Sequence, residues 1–353
     1  MNIRLSSPWA WLPLQLATAC VALLFAALTP ARAMAQTGMT QLQAPNLPIT
    51  LVYPTAATAT TQTLGPFTVQ VALGAAPVRG NGHLIVLSHG AGGSALPEFD
   101  MARTLAAAGF TVAQPEHDGD NWRDHHLAGP ESWKLRPVEV SRTIDAVMKD
   151  PRFGPLLDAN KVGMHGMSAG GLTGLALAGG EWSPAAIARH CAVHQVDDEG
   201  FCFFNLRTAA EREQRAAMYG RPVPASAETL YGGAAVHDPR IAAIALTVPV
   251  SAIFTSESLS RITLPVGIVE ATADHTLTPA FHSSRVLALC HSCRSLGALQ
   301  GADHYDTLSP FPEMLARQAR GPDAPPSKFD HALLAASHQR VAQFFQQTLL
   351  AAP

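Results

Sequence analysis

Residues Gly166-Met167-Ser168-Ala169-Gly170 follow the spacing G-x-S-x-G. A serine hydroxyl is a weak nucleophile at neutral pH, so it must be held exposed beside a base. Small residues on either side permit a sharp strand-to-helix turn that lifts the oxygen above a sheet edge. The flanks agree, because the apolar run Val162-Gly163-Met164-His165 precedes the motif and Gly171 with a helical run follows it. Ser168 is therefore the expected nucleophile. The helix that starts behind it would aim backbone amides and a positive dipole end at developing negative charge.

Attack on a carbonyl creates an oxyanion, which needs two such donors. Ala169 N–H is the first. The second is expected from the loop after an earlier strand, where Ser88-His89-Gly90-Ala91-Gly92-Gly93 follows Leu84 to Leu87, and Ala91 N–H is the choice. Gly90, Gly92 and Met167 flank these donors and are expected to touch substrate. The bland alternative is an ordinary glycine-rich turn. A phosphate cradle fits less well, since no Lys-Ser or Lys-Thr follows the glycines and no G-x-G-x-x-G frame is present.

The acid that orients a catalytic imidazole should follow a late strand. Asp274 does so, in Val269-Glu270-Ala271-Thr272-Ala273-Asp274; Glu270 is the rival carboxylate, but a place inside the strand points it less well toward a loop. The base should come last, and His304 sits in Gly301-Ala302-Asp303-His304 just beyond the apolar Leu296 to Leu299. Of 15 histidines most must be structural or exposed, so position decides: His331 and His338 fall in the closing helix, and His275 is a chain neighbour of the acid. The order Ser168, Asp274, His304 matches the chain order of nucleophile-elbow hydrolases. Such chemistry calls for no cofactor and no metal.

These side chains need a scaffold. From Leu84 onward short apolar strands alternate with helical stretches, the signature of an α/β protein with a mostly parallel sheet flanked by helices. Strands are expected at Leu84 to Leu87, Phe110 to Ala113, Val162 to His165, Ile241 to Leu246, Val266 to Ala271 and Leu296 to Leu299. Helices are expected at Glu98 to Ala108, around Val140, Ile144, Val147 and Met148, at Ala169 to Leu177, and from about Phe329 to Leu350. Ahead of these, Ile49 to Tyr53 and Phe67 to Leu73 look like opening antiparallel strands, and Gln36 to about Leu47 reads as a polar lead-in. Residues from about 180 to 237 show no clear strand but hold Trp182, Phe201, Phe203, Phe204, Tyr219 and Tyr231, and read as a cap or long insertion.

The whole chain sets bounds on this picture. Its 353 residues suit one α/β domain with an insertion; 47% apolar and 14% charged residues suit a compact core. A formal charge of −3 without a basic run removes the electrostatic basis for binding nucleic acid or an anionic membrane. A small-molecule or polymeric ester is the expected partner, and the sequence fixes no oligomeric state. Residues 1–35 read as a signal peptide, with Arg4, an apolar stretch from Trp9 to Leu28 and small residues at Ala31, Ala33 and Ala35. A retained anchor or a lipoprotein Cys20 are weaker readings, so no stable membrane insertion is expected after cleavage. The mature domain, 36–353, would be periplasmic or secreted. It keeps Cys191, Cys202, Cys290 and Cys293 for disulfides, of which sequence-local pairing is the simplest of three connectivities. A zinc site on His190, Cys191, His194 and Cys202 is the sharper alternative.

With the order assembled, the chain resembles the predicted dienelactone hydrolase family and the neighbouring platelet-activating-factor acetylhydrolases. The matching segments are Leu87-Ser88-His89-Gly90, Pro115-Glu116-His117 with Gly119-Asp120-Asn121, Asp150-Pro151-Arg152-Phe153-Gly154, the serine elbow, Asp238-Pro239-Arg240-Ile241 and Gly301-Ala302-Asp303-His304. The resemblance implies an α/β-hydrolase fold and a serine ester hydrolase, here with Ser168 where dienelactone-opening enzymes use cysteine. The acid after the strand ending near Ala271 looks more like bacterial esterases and polyester hydrolases than the acetylhydrolases. Short-chain or compact aromatic esters are the first expectation, with a polyester or an acetylated phospholipid as alternatives. A non-catalytic exported binding protein on the same fold is the reading from another class.

Overall fold

Strands that are apolar at every position, such as Leu84–Ser88, need cover on both faces of their sheet. The fold is a computed structural model that describes residues 36–206, 208–232, 236–310, 312, 315 and 327–351. Its elements run β1 (Gln36–Ala44), β2 (Leu47–Thr55), β3 (Thr60–Leu64), β4 (Phe67–Leu73), β5 (Leu84–Ser88), α1 (Phe99–Ala107), β6 (Thr111–Pro115), α2 (Pro130–Lys149), β7 (Val162–Met167) and α3 (Ala169–Leu177). They continue β8 (Glu181–Trp182), α4 (Pro184–His194), α5 (Glu199–Cys202), α6 (Ala209–Tyr219), β9 (Tyr231–Gly232), β10 (Ile241–Thr247), α7 (Ser256–Ser260), β11 (Val266–Ala271), α8 (Ser283–Leu289), β12 (Cys293–Leu299) and α9 (Ala332–Leu349). The expected signal peptide, residues 1–35, and Cys20 within it lie outside the described residues.

Ten strands form one sheet in the order β12-β11-β10-β7-β5-β6-β2-β1-β4-β3. From β12 to β6 every pairing is parallel. Beyond β6 the sheet turns mixed: β2 runs antiparallel to both β6 and β1, while β4 is parallel to β1 and antiparallel to β3. Alternation along β5 splits the core in two. Leu84 and Val86 pack with Val140, Ile144 and Val147 of α2 and Leu172 and Leu175 of α3. Ile85 and Leu87 face the other way, onto Met101 and Leu105 of α1 and Val341, Phe344 and Phe345 of α9. The α/β class with a mostly parallel, helix-flanked sheet is the one the sequence predicts.

Two local readings change. Gln36–Ala44 is a nine-residue strand rather than a polar lead-in. Its glutamines and threonines disguise it, but it pairs on both edges, and Gly38 lets it close onto Tyr53, whose ring lies 2.4 Å from where a Cβ would sit. The closing helix starts at Ala332 rather than Phe329. In the 180–237 segment, β8 and β9 pair as a two-residue ladder at its neck, too short to register in the sequence. Trp182 is buried there between the rings of Trp133 and Tyr231. Helix α4 is capped by Ser183 with Pro184 at its first turn, and α6 by a Thr208–Glu211 capping box. Among the described residues no helix is long and apolar enough to cross a membrane.

Candidate active site

The parallel half of the sheet delivers its loops to one edge, and the expected site residues sit at four of them, after β5, β7, β11 and β12. Strand β7 ends at Met167 and α3 begins at Ala169, so Ser168 alone makes the turn, with φ 56° and ψ −115°. A non-glycine residue there costs roughly 1–3 kcal/mol and must be held by its surroundings. Ser168 N–H donates to Thr247 O at 3.1 Å, and Val250 N–H donates to Ser168 O at 3.1 Å. The two glycines of the motif are set by close approach. A Cβ on Gly166 would lie 2.1 Å from Gly170 O, and one on Gly170 would lie 1.9 Å from Ser88 O.

The structure brings the other two expected residues to this serine. His304 Nε2 lies 3.0 Å from Ser168 Oγ, and His304 Nδ1 lies 2.8 Å from Asp274 Oδ2. All three side chains are buried or nearly so, with Ser168 the most open at 9% exposure. The second oxygen of Asp274 accepts the amides of Thr276 at 2.9 Å and Leu277 at 2.7 Å, which fixes the carboxylate plane. Asp303 joins the two loops: its Oδ1 accepts His304 N–H at 2.7 Å and His275 N–H at 2.9 Å. Such a hydroxyl–imidazole–carboxylate chain can draw a proton from oxygen while the carboxylate holds the ring in one tautomer.

The loop Ser88–Gly93 lies against the elbow, because a Cβ on Gly90 would meet Met167 Sδ at 3.2 Å and Ser168 Cβ at 3.4 Å. Neither Ala91 N–H nor Ala169 N–H has an acceptor among the described residues. Behind the loop lies a buried polar network that sequence reading did not assign. Arg136 pairs with Asp120 at 2.8 Å, both at 0% exposure. Ser88 Oγ lies 2.7 Å from His117 Nε2, and His117 Nδ1 lies 2.6 Å from Glu139 Oε2. Burial holds His117 and His89 well below the ordinary imidazole range, and the Arg136 charge adds to it. Burial also raises Glu98, to about 8, against the pull of Arg136 and the Gly90 amide. His117 and Asp120 stand in segments that matched the family resemblance; Arg136 and Glu139 carried no sequence signal beyond lying on a helix.

The rival groups point elsewhere. Glu270 accepts from Ser283 Oγ at 3.0 Å and Ser284 Oγ at 2.6 Å, and the His275 side chain is largely exposed. Disulfides join Cys191 to Cys202 and Cys290 to Cys293, with S–S distances of 2.01 Å. With its sulfur in such a bond, neither Cys191 nor Cys202 offers a thiolate to zinc, and His190 donates instead to Asp198 at 2.8 Å. Asp198 also accepts Thr278 N–H at 3.1 Å and meets His282 Nε2 at 3.0 Å, tying the 180–237 segment to the loop that carries Asp274.

No protein-family model matches the chain. No curated protein sequence matches it either. Among solved structures, it is similar to a ferulic acid esterase from Streptomyces cinnamoneus, with a TM-score of 0.57 and 16% sequence identity. That likeness covers 92% of this chain and 93% of the other. At this identity the likeness speaks for the fold alone, a large mostly parallel sheet flanked by helices.

Proposed function

We propose that the chain is an exported serine carboxylic-ester hydrolase acting through an acyl-enzyme on Ser168. The observation that carries the reading is the continuous chain of contacts from Ser168 Oγ through His304 to Asp274, at 3.0 and 2.8 Å. Ser168 Oγ bonds to the ester carbon as its proton passes to His304 Nε2, and the carbonyl electron pair becomes an oxyanion facing Ala91 and Ala169 N–H. The tetrahedral adduct collapses, and the leaving alkoxide takes the proton from His304. Water then attacks the acyl group, gives its proton to His304, and Ser168 regains a proton as the acid departs. Asp274 stabilises the imidazolium in both halves. Gly90, Gly92 and Met167 line the approach.

Compact aromatic or short acyl groups are the substrates we propose. The ferulic acid esterase of like fold supports an aromatic acid. A 180–237 cap anchored beside the acid loop supports an enclosed cleft. Export is supported by the N-terminal sequence pattern and by the two disulfides.

An ester panel with Ser168→Ala as control tests the reading. Turnover should fall at least ~10³-fold in the variant, and a fluorophosphonate should label Ser168 in the folded wild type. Wild-type protein that folds, hydrolyses no ester and takes no label would instead be a binding protein on this fold. Faster cleavage of peptide anilides than of p-nitrophenyl esters would make it a peptidase.

A further inference from the structure

The His89–Gly93 loop lies outside helix and strand, yet buried charge grips it on both sides of Ala91. Arg136 Nη1 donates to His89 O at 2.5 Å, and Nη2 donates to Gly90 O at 3.3 Å and to Asp120 Oδ2 at 2.8 Å. Asp120 Oδ1 accepts Gly92 N–H at 2.8 Å. Ser132 Oγ sits between the charges, donating to Asp120 Oδ2 at 2.9 Å and accepting from Arg136 Nε at 3.1 Å. Gly90 O also accepts Gly93 N–H at 3.2 Å and lies 2.7 Å from His89 Nδ1.

Peptide planarity turns this grip into aim. Gly90 C=O and Ala91 N–H belong to one rigid trans unit and point in opposite directions. Three donors on the carbonyl side therefore direct the Ala91 amide away from the buried network. Gly92 N–H, held by Asp120, fixes the next plane in the same way. Stability alone accounts poorly for the pair, because a buried ion pair seldom outperforms apolar packing of similar volume.

We propose that Asp120 and Arg136 are positioning residues that set Ala91 N–H as an oxyanion donor. The inference rests on the ester-hydrolase reading above. A misaimed donor weakens only the state in which the oxyanion exists, so its loss falls on kcat rather than on KM.

The test compares wild type with Asp120→Asn and the milder Ser132→Ala, using an acetyl aryl ester and an aryl trifluoromethyl ketone. With the ketone, Ser168 Oγ bonds to the carbonyl carbon, its proton passes to His304 Nε2, and the carbonyl pair becomes an oxyanion without a leaving group. Asp120→Asn should lower kcat by ~10- to 10²-fold with KM within about 3-fold, and raise the ketone Ki by the fold that kcat/KM falls. Ser132→Ala should move kcat and Ki together by a few-fold. Unchanged kcat and Ki in folded Asp120→Asn overturn the proposal. So does a loss of thermal stability with wild-type kcat per labelled enzyme. If Asp120→Asn fails to fold, Ser132→Ala decides: parallel shifts support the proposal and no shift overturns it. A wild type that neither hydrolyses the ester nor binds the ketone removes the ester-hydrolase reading and this inference together; an active wild type with insensitive variants removes only the inference.

Discussion

Glu98 Oε2 and His165 Nδ1 face each other across 3.9 Å behind the serine elbow, both buried and neither hydrogen-bonded. His165 Nε2 meets Thr247 Oγ1 at 3.1 Å, and Thr247 O holds the Ser168 amide. The two groups line one small cavity with Met167 and His338. Burial raises Glu98 to about 8 and lowers His165 to about 3. Both are therefore neutral in the folded protein at neutral pH.

Their effects on stability run in opposite windows. Between about pH 4.5 and 8 the folded state binds the Glu98 proton more tightly than the unfolded chain, so stability falls as pH rises through that range. Between pH 6.5 and about 3 the unfolded chain protonates His165 first, and stability falls as pH drops; His338, lowered to about 4, acts the same way. Glu98→Gln should abolish the alkaline slope, which one group sets at on the order of 1 kcal/mol per pH unit. Urea unfolding at pH 5, 6.5 and 8 measures it. Parallel curves for variant and wild type would refute the assignment.

Asp198 is the anchor of the 180–237 segment. His282 Nδ1 accepts Ser251 N–H at 3.0 Å, so the proton sits on Nε2 and is donated to Asp198. Asp198→Ala strands this N–H and the Thr278 amide in a buried site, which should cost about 2–4 kcal/mol. Limited proteolysis should then cut within 180–237 before elsewhere. Unaltered stability and cleavage pattern would show that the segment is held by other contacts.

The elbow glycines should differ sharply from a glycine with room. Gly170→Ala places a methyl against the Ser88 carbonyl, a backbone atom that cannot swing aside, and should cost more than about 2 kcal/mol along with most activity. Gly220, with φ −74° and its nearest neighbour 4.0 Å away, should accept alanine with a change within about 1 kcal/mol. Melting temperatures of the two variants decide this; equal values would mean that α3 can retreat from β5.

Legibility in the sequence followed the range of the physics involved. The parallel strands from Leu84 onward announce themselves because both faces are buried and their apolar runs are unbroken. Ser168, Asp274 and His304 could be named because each occupies a fixed place after a strand, and the structure brings them into one chain of contacts. Gln36–Ala44 escaped because what makes it a strand is its pairing with β2 and β4 on its two edges rather than its own polar composition. Arg136 and Asp120 escaped for a similar reason: an arginine on a helix reads as solvated until the fold shows it at 0% exposure beneath a loop.

Among the described residues stand two relays of serine, histidine and carboxylate with nearly equal spacing. One runs from Ser168 through His304 to Asp274, the other from Ser88 through His117 to Glu139. A search by interatomic distance would return both. Ser88 closes a strand at 0% exposure, with no room for an incoming carbonyl, whereas Ser168 stands at a turn with backbone amides beside it. On the proposed function, reactivity here is a matter of admission: the same kinds of group would serve as a nucleophile's relay at the rim of the sheet and as a rivet in its interior.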